Sequence, residues 1–328
     1  MKMALRSVFA GMTVLMLATG VSSTAGAQSA YPSRPIKLII PFPPGGTTDL
    51  IGRAFADGMS KALGQAVVVE NRGGASGSIG AEALARSSPD GYTIGLSSPS
   101  GFAINPACNP AISYDPVKDF KAISKLASAP HVLLVNPAFP AKNYEEFIAL
   151  IKANPGKYEF ATSGTCGSGH MLGEQFKYST GAQIMHVPYR GAGPAANDVI
   201  AGHVPILIDA LPSATSHIRS GNLRPIVLAS AKRVETLPDV PTFGDVGINE
   251  ANEAGWYGLV APAGTPDAVI QTLYAAVLKA IESDELRQRL LAAGANPDGT
   301  KPEEHAAEIA RSGARMKELV KAQNIQMK

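Results

Sequence analysis

The sequence has almost no net charge. It contains 29 Lys and Arg residues against 27 Asp and Glu residues, and charged residues make up only 17% of the chain. Lys2 and Arg6 belong to an N-terminal segment that we expect to be removed, which leaves the rest of the chain electrically balanced. Proteins that bind nucleic acids or acidic membranes need a basic surplus. We therefore expect no nucleic-acid or membrane-surface partner.

Cysteine is scarce, since only Cys108 and Cys166 occur in the chain. An even pair of cysteines in an exported protein is typical of a disulfide. The chain-entropy model gives a closed loop of this length a stabilisation of about 4 kcal/mol. Two unrelated buried thiols are the alternative.

Long apolar runs are missing after the N-terminus. The run at residues 8–18 follows a basic start and precedes Ala25-Gly26-Ala27, an A-x-A cleavage pattern. This order predicts a signal peptide over residues 1–27, cleaved after Ala27. An uncleaved anchor is the alternative, but the run is short for a membrane span. No cysteine stands at the cleavage site, so we expect a soluble protein exported to the periplasm.

Nucleotide and metal motifs are also missing. No G-x-x-x-x-G-K-[ST] pattern occurs, and Gly74, Gly77 and Gly80 lack the close glycine pair of a dinucleotide fingerprint. His170 and Glu174 have the spacing of two metal ligands on a helix, but no second ligand pair accompanies them. We therefore expect neither a cofactor nor a metal.

What the sequence does contain is two successive sets of alternating strand and helix patterns. This alternation predicts α/β domains, each doubly wound with helices on both faces of its sheet. Beyond residue 266 the pattern is entirely helical. Because these last helices need a sheet to cover, we predict that the chain returns to the first domain near residue 253. The predicted domains are residues 28–128 plus 253–328 and residues 129–252, joined by a two-segment hinge.

The most informative loop, at residues 41–49, joins the first strand to the first helix. Ligands of open α/β sheets bind at such loops, where helix N–H groups and the helix dipole suit an anion. Gly45 and Gly46 allow close approach of a ligand, and Pro44 stiffens the loop. Thr47 or Thr48 can cap the helix, and Asp49 in its first turn complements the helix dipole. A plain structural turn is the alternative.

Three further positions follow predicted strands. Residues 161–170 are rich in hydroxyls and glycines, and Ser163, Gly164 and Ser168 would offer neutral donors to a ligand. The alternative is a flexible loop in which Ser168 only caps a helix. Tyr189 can contact a ligand or simply pack. Asp209 can bind a donor group of a ligand, cap the next helix, or do both.

An enzyme is the competing class. Cys166 or Ser163 would be its nucleophile, and His170 or His186 its base. The sequence lacks the G-x-S-x-G motif of hydrolases, and a disulfide would remove Cys166 from any such role. Because binding requires only a closable cleft with well-placed donors, we expect a binding protein with no catalytic residue.

Several motifs, in this order and spacing, resemble the Bordetella uptake gene family, the periplasmic receptors of tripartite tricarboxylate transporters. The resemblance covers nearly the whole chain after the signal. Its motifs are Tyr31-Pro32-Ser33-Arg34-Pro35-Ile36, the loop at residues 43–49, Glu70-Asn71-Arg72-Gly73-Gly74-Ala75, Tyr114-Asp115-Pro116, Val187-Pro188-Tyr189-Arg190-Gly191, Pro238-Asp239-Val240-Pro241-Thr242 and Trp256-Tyr257-Gly258-Leu259-Val260-Ala261-Pro262.

The resemblance implies a type II periplasmic binding fold that closes around a small carboxylate by hinge motion and delivers it to a membrane permease. The carboxylate would be held by backbone groups, hydroxyls and waters, with little use of Arg. We expect a monomer. A receptor that signals to a sensor kinase is the alternative partner class. The ligand-binding residues implied are Phe42, Pro44, Gly45, Gly46, Thr47, Asp49, Ser98, Ser100, Ser163, Gly164, Ser168, Tyr189 and Asp209.

One stretch departs from the family pattern. Many relatives carry a Thr-His pair where this chain has Ser100, Gly101 and Phe102. We expect Phe102 to make the pocket more apolar. A bridge between Cys108 and Cys166 would tie a loop of the first domain to a loop of the second, close to the hinge.

Overall fold

The structure is a computed structural model, and it describes residues 31–249, 252–323 and 325. Within these residues the chain forms two sheets with helices packed on their faces, which confirms the predicted α/β class. The predicted signal peptide lies outside the described residues. In the part of the chain that is described, no helix has the length and apolar character needed to cross a membrane.

The two sheets are built from strands that are mostly short and buried. In the described residues the strands are, in chain order, β1 (Ile36–Ile40), β2 (Val67–Asn71), β3 (Thr93–Ser97), β4 (Phe120–Ala129), β5 (His131–Val135), β6 (Tyr158–Thr162), β7 (Ile184–Pro188), β8 (Ile206–Ala210), β9 (Arg224–Ala229), β10 (Gly255–Pro262) and β11 (Asn296–Thr300). The first sheet has the order β11-β4-β10-β3-β1-β2, and the second has the order β7-β6-β8-β5-β9. Each sheet combines parallel pairs, such as β1 with β2 and β6 with β7, with antiparallel ones.

The helices follow the strands, as in other α/β proteins. They are α1 (Thr47–Leu63), α2 (Ser78–Ala85), α3 (Asn105–Cys108), α4 (Tyr144–Ala153), α5 (Ser168–Thr180), α6 (Ala192–Ile200), α7 (Leu211–Arg219), α8 (Asp267–Ile281), α9 (Asp284–Ala293) and α10 (Pro302–Ala322). A single π-helical turn at Ser100–Ile104 leads into α3. We call the first sheet with α1–α3 and α8–α10 the first lobe, and the second sheet with α4–α7 the second lobe.

Apolar side chains at strand and helix spacing hold each lobe together. In the first lobe, Leu38 of β1, Phe55 of α1 and Leu273 of α8 are fully buried in one cluster. In the second lobe, Phe147 of α4 and Phe160 of β6 are fully buried in another. Burial of each such side chain contributes about 1.5–3 kcal/mol. The strand-to-helix loops are thereby fixed at the edges of two rigid sheets.

The helical tail differs from the sequence expectation at one point. Residues Asn296–Thr300 form β11, which pairs antiparallel with β4 at the edge of the first sheet. The segment has no apolar alternation, so only its tertiary pairing makes it a strand. The prediction of an entirely helical tail is therefore wrong here.

The chain passes between the lobes twice. It leaves the first sheet at Ala129 and enters the second at His131, and it returns between β9 and β10. Two such connections permit hinge motion of one lobe against the other. The predicted domain boundaries at residues 128/129 and 252/253 fall near these connections and stay a prediction.

Candidate functional site

A cavity of about 50 Å³ lies between the two lobes. The loops that follow β1 and β3 form most of its wall in the first lobe, with Tyr257 of β10. The loops that follow β6, β7 and β8 form most of its wall in the second lobe, with His131 of β5. Among the described residues that line it, none is Lys or Arg. The lining residues are Phe42, Pro43, Gly46, Thr47, Thr48, Ser98, Pro99, Ser100, His131, Ser163, Ser168, Gly169, Ala192, Ile208, Asp209, Ala210 and Tyr257.

Three helices begin at this cavity. The first residues of α1, α5 and α6 (Thr47, Ser168 and Ala192) all line it. The N-cap residue of each helix is a glycine, which has no side chain to cap the first turn. In α5 the N–H of Ser168 instead donates to Ser100 Oγ. Unpaired N–H groups and the positive ends of three helix dipoles therefore meet at one place, each end equivalent to about half a positive charge. This arrangement suits an anion without any basic side chain.

Three of the serines that line the cavity, Ser98, Ser100 and Ser168, differ in the partners of their hydroxyls. Ser100 Oγ accepts a hydrogen bond from Ser168 N at 3.0 Å and lies 2.9 Å from Ser168 Oγ, so this pair joins the lobes. Ser98 Oγ is buried and has no hydrogen-bond partner among the described residues. Because a buried unpaired hydroxyl costs about 1–3 kcal/mol, this group is suited to a ligand.

Asp49 and Gly45 do not line the cavity. The Asp49 carboxylate accepts hydrogen bonds from Gly45 N, Arg53 Nε and Asn71 Nδ2, at 3.0, 2.9 and 2.8 Å respectively. Burial favours the neutral acid, but these donors outweigh it and hold the pKa of Asp49 below its ordinary value. Asp49 therefore fixes the loop before α1, and its effect on a ligand is indirect.

Pro44, Gly164 and Tyr189 line a neighbouring, larger cavity of about 800 Å³. Phe42 and Ser163 contribute to both cavities. The Tyr189 hydroxyl donates to Asp198 Oδ2 at 2.6 Å, so this donor is already used within the second lobe. These three residues therefore belong to the surroundings of the small cavity rather than to its wall.

Phe102 does not make the cavity more apolar, contrary to the sequence expectation. Its ring is buried in the first lobe, 4.8 Å from the Phe120 ring and 6.3 Å from the Tyr114 ring. The π-helical turn at Ser100–Ile104 accounts for the difference, since it leaves Ser100 in the cavity wall while Phe102 packs in the core.

His131 and Tyr257 are among the residues of the cavity wall that were not predicted. His131 is the first residue of β5, and burial lowers its pKa to about 4. Tyr257 lies in β10 within one of the motifs that carry the family resemblance. His131 stands directly after a connection between the lobes, but it opens an apolar run, so its local pattern does not distinguish it from a core residue.

Asp209 lies at the end of β8, beside these two residues in the cavity wall, and is buried. Burial raises its pKa to about 6, although hydrogen bonds from Ser213 Oγ and Ala210 N oppose the shift. Ser213 also contacts Thr47 of the first lobe, whose Oγ1 donates to Ser213 Oγ at 3.0 Å. The structure thus brings Asp209 to the same cavity as the helix starts.

The disulfide between Cys108 and Cys166 is present, with a Cα–Cα distance of 6.4 Å. It joins α3 of the first lobe to the loop before α5 of the second. Cys166 therefore has no thiol for catalysis. Of the two histidines considered as bases, His170 accepts from Cys166 N and His186 contacts Thr162. The described residues contain no cluster of three or more His, Cys, Asp and Glu suited to a metal.

Comparisons with known proteins agree over most of the chain. A sequence model described as "Tripartite tricarboxylate transporter family receptor" matches residues 51–325. The protein BugT of Bordetella pertussis is 38% identical over 298 residues, which cover 90% of this chain and 91% of BugT.

Two similar solved structures carry a ligand in their description. One is R. palustris Rpa4515 with adipate, with 32% identity and a TM-score of 0.87, covering 90% of this chain and 99% of that one. The other is MatC of Rhodopseudomonas palustris with bound malate, with 30% identity and a TM-score of 0.84, covering 88% and 100%. By the match over residues 51–325, this chain belongs to the family of tripartite tricarboxylate transporter receptors.

Proposed function

We propose that this protein is a non-enzymatic periplasmic receptor that captures a small carboxylate between its two lobes and delivers it to the permease of a tripartite transporter. The observation that carries the proposal is the convergence of three helix starts, each with a glycine at its N-cap, on one cavity whose described wall has no Lys or Arg side chain. The ligands of the similar proteins, adipate and malate, are small carboxylates. An enzymatic role has less support, because the only cysteines are joined to each other.

The proposed contacts divide by their place in the structure. Phe42, Gly46, Thr47, Ser98, Ser100, Ser163, Ser168 and Asp209 would contact the ligand from the cavity wall. Pro44, Gly164 and Tyr189 would line the approach to it, and Gly45 and Asp49 would support the loop before α1. The carboxylate would accept hydrogen bonds from the N–H groups at the helix starts, with waters completing its shell.

The cellular setting belongs to the same proposal. Residues 1–27 would be removed after Ala27, and the exported chain would act as a monomer. Residues 28–128 plus 253–328 and residues 129–252 would move as two rigid domains about the double connection between the sheets. Closure would exclude water from the anion and strengthen its interaction with the helix dipoles.

The test is a thermal-shift screen with succinate, malate, citrate, adipate, aspartate and benzoate, followed by calorimetric titration. A bound acid raises the unfolding temperature in a concentration-dependent way. Ser98→Ala should weaken the affinity for the best acid by about tenfold, because the bound acid loses its hydrogen bond to the buried Ser98 hydroxyl. Ser179→Ala, at an exposed position of α5, is the matched control. If no acid shifts the unfolding temperature, the proposed function is wrong.

A further inference from the structure

Asp209 places an acidic side chain in a cavity whose helix starts suit an anion. It is the only acidic side chain among the described residues that line the cavity, and only 8% of it is exposed. A ligand that offered nothing but carboxylates would bring its negative charge close to this one. In a water-poor site, two like charges at short distance repel strongly.

The partners of Asp209 leave part of its acceptor capacity unused. Ser213 Oγ donates to Oδ2 at 2.7 Å and Ala210 N donates to Oδ1 at 2.8 Å. An ionised carboxylate has sites for about four hydrogen bonds. Among the described residues no basic side chain contributes to its titration, and burial raises its pKa to about 6. The group therefore lacks both a counter-charge and further donors.

We propose that Asp209 is a specificity-determining residue, which selects carboxylates that also carry a hydroxyl or ammonium donor. The proposal rests on the proposed function, since the carboxylate of the ligand would occupy the helix starts. The donor of the ligand would then face Asp209 across the cavity. A hydroxyl would fill an unused acceptor site, and an ammonium would also supply the missing counter-charge.

Asp209 is also linked to closure of the lobes. Ser213, which donates to Asp209, accepts a hydrogen bond from Thr47 Oγ1 of the first lobe at 3.0 Å. In return, Ser213 N donates to Thr47 Oγ1 at 3.1 Å. With Asp209 ionised, the hydroxyls of Thr47 and Ser213 each donate one hydrogen bond and accept another. A ligand donor at Asp209 therefore binds next to a contact that exists only between closed lobes.

The experiment compares matched acids by calorimetric titration at neutral pH. L-malate and L-aspartate are each compared with succinate, and 2-hydroxyglutarate and L-glutamate with glutarate. Because a hydrogen bond to a charged group is stronger than one between neutral groups, the donor-bearing acid of a pair should bind at least about tenfold more tightly. The malate and aspartate arms show whether a hydroxyl or an ammonium is preferred.

Asp209→Asn should reduce this preference to within about threefold, whereas Asp239→Asn, the same change at an exposed position, should leave it intact. If the wild-type protein binds succinate and glutarate as tightly as their donor-bearing partners, this proposal is overturned while the carboxylate receptor stands. The wild-type comparison decides the matter even if the Asp209 variant does not fold. If none of these acids binds but another acid of the thermal-shift screen does, this proposal fails and the carboxylate receptor stands. If no acid of either set binds, both fail.

Discussion

Asp209 and His131 are buried ionisable groups on neighbouring strands, β8 and β5, and they act on stability in opposite directions. The pKa of Asp209 is raised to about 6, so its stabilising contribution is present below its ordinary pKa and is lost as the pH rises through about 6. The pKa of His131 is lowered to about 4, so its contribution is present above its ordinary pKa and is lost as the pH falls through about 4. The two effects therefore oppose each other between these values.

Removal of the Asp209 carboxyl should therefore change how the stability of the protein depends on pH. Relative to the wild-type protein, the free energy of unfolding of Asp209→Asn should rise by about 2 kcal/mol between about pH 4 and pH 7, since one pKa unit corresponds to about 1.4 kcal/mol. Urea unfolding without ligand across this range measures the difference. Asp239→Asn should follow the wild-type profile. Parallel profiles for Asp209→Asn and the wild-type protein would show that the Asp209 carboxyl is not perturbed in the fold.

Sequence reasoning found most of the polar residues of the site but not all of them. Ser98, Ser100, Ser168 and Asp209 follow strands, where the ligands of α/β sheets are expected, and the structure brings them to one cavity. His131 was missed because it opens the apolar run of β5 and has the pattern of a core residue. Such a position shows its role only once the second lobe is folded against the first.

At the scale of elements, some strands are predicted by their own sequence, whereas others form only because they pair with a neighbouring strand. The segment Ile36–Ile40 contains three isoleucines and a leucine, and its one charged residue, Lys37, is exposed, so its sequence alone predicts β1. β11, Asn296–Thr300, contains a proline and a glycine and has no apolar face, and it forms only by pairing with β4. Long-range pairing of this kind leaves no local signal, which is why β11 was not predicted.

Helix α2 supports the loop that leads to the first helix start. A Cβ atom on Gly80 would lie 2.7 Å from Pro41 Cα and 2.8 Å from the carbonyl oxygen of Arg72. Both are backbone atoms, so the loop would have to move. Gly80→Ala should therefore lower the free energy of unfolding by about 1–3 kcal/mol and weaken binding of the best acid found.

Gly313→Ala is the matched control, because a Cβ at Gly313 in α10 meets no heavy atom within 4 Å. It should be neutral or stabilising by up to about 1 kcal/mol, since alanine favours a helix. Urea unfolding and calorimetric titration measure both variants. Equal stabilities for Gly80→Ala and the wild-type protein would mean that α2 does not fix this loop.

On the scale of the whole molecule, the lobes are held together by contacts of two kinds. Hydrogen bonds cross between them, such as Thr215 Oγ1 to Ala293 O at 2.8 Å and Ser168 N to Ser100 Oγ at 3.0 Å. These exchange readily with water when a cleft opens. The disulfide between Cys108 and Cys166 is covalent and stays intact when the cleft opens. Opening must therefore turn about the disulfide as well as the two chain connections, and its range is limited.

The double variant Cys108→Ser with Cys166→Ser tests this limit. The chain-entropy model predicts a loss of about 4 kcal/mol in the free energy of unfolding. Without ligand, the variant should also open further than the wild-type protein, with a larger radius of gyration in small-angle scattering and faster ligand dissociation in stopped-flow measurements.

A saturating acid should bring the double variant and the wild-type protein to the same compact radius, because the ligand contacts both lobes whether or not the bridge exists. That comparison separates wider opening from partial unfolding, which ligand would not fully reverse. Equal unliganded radii would show instead that the bridge lies on the hinge axis itself. The disulfide would then contribute stability without restricting motion, and the rate of ligand release would be unchanged.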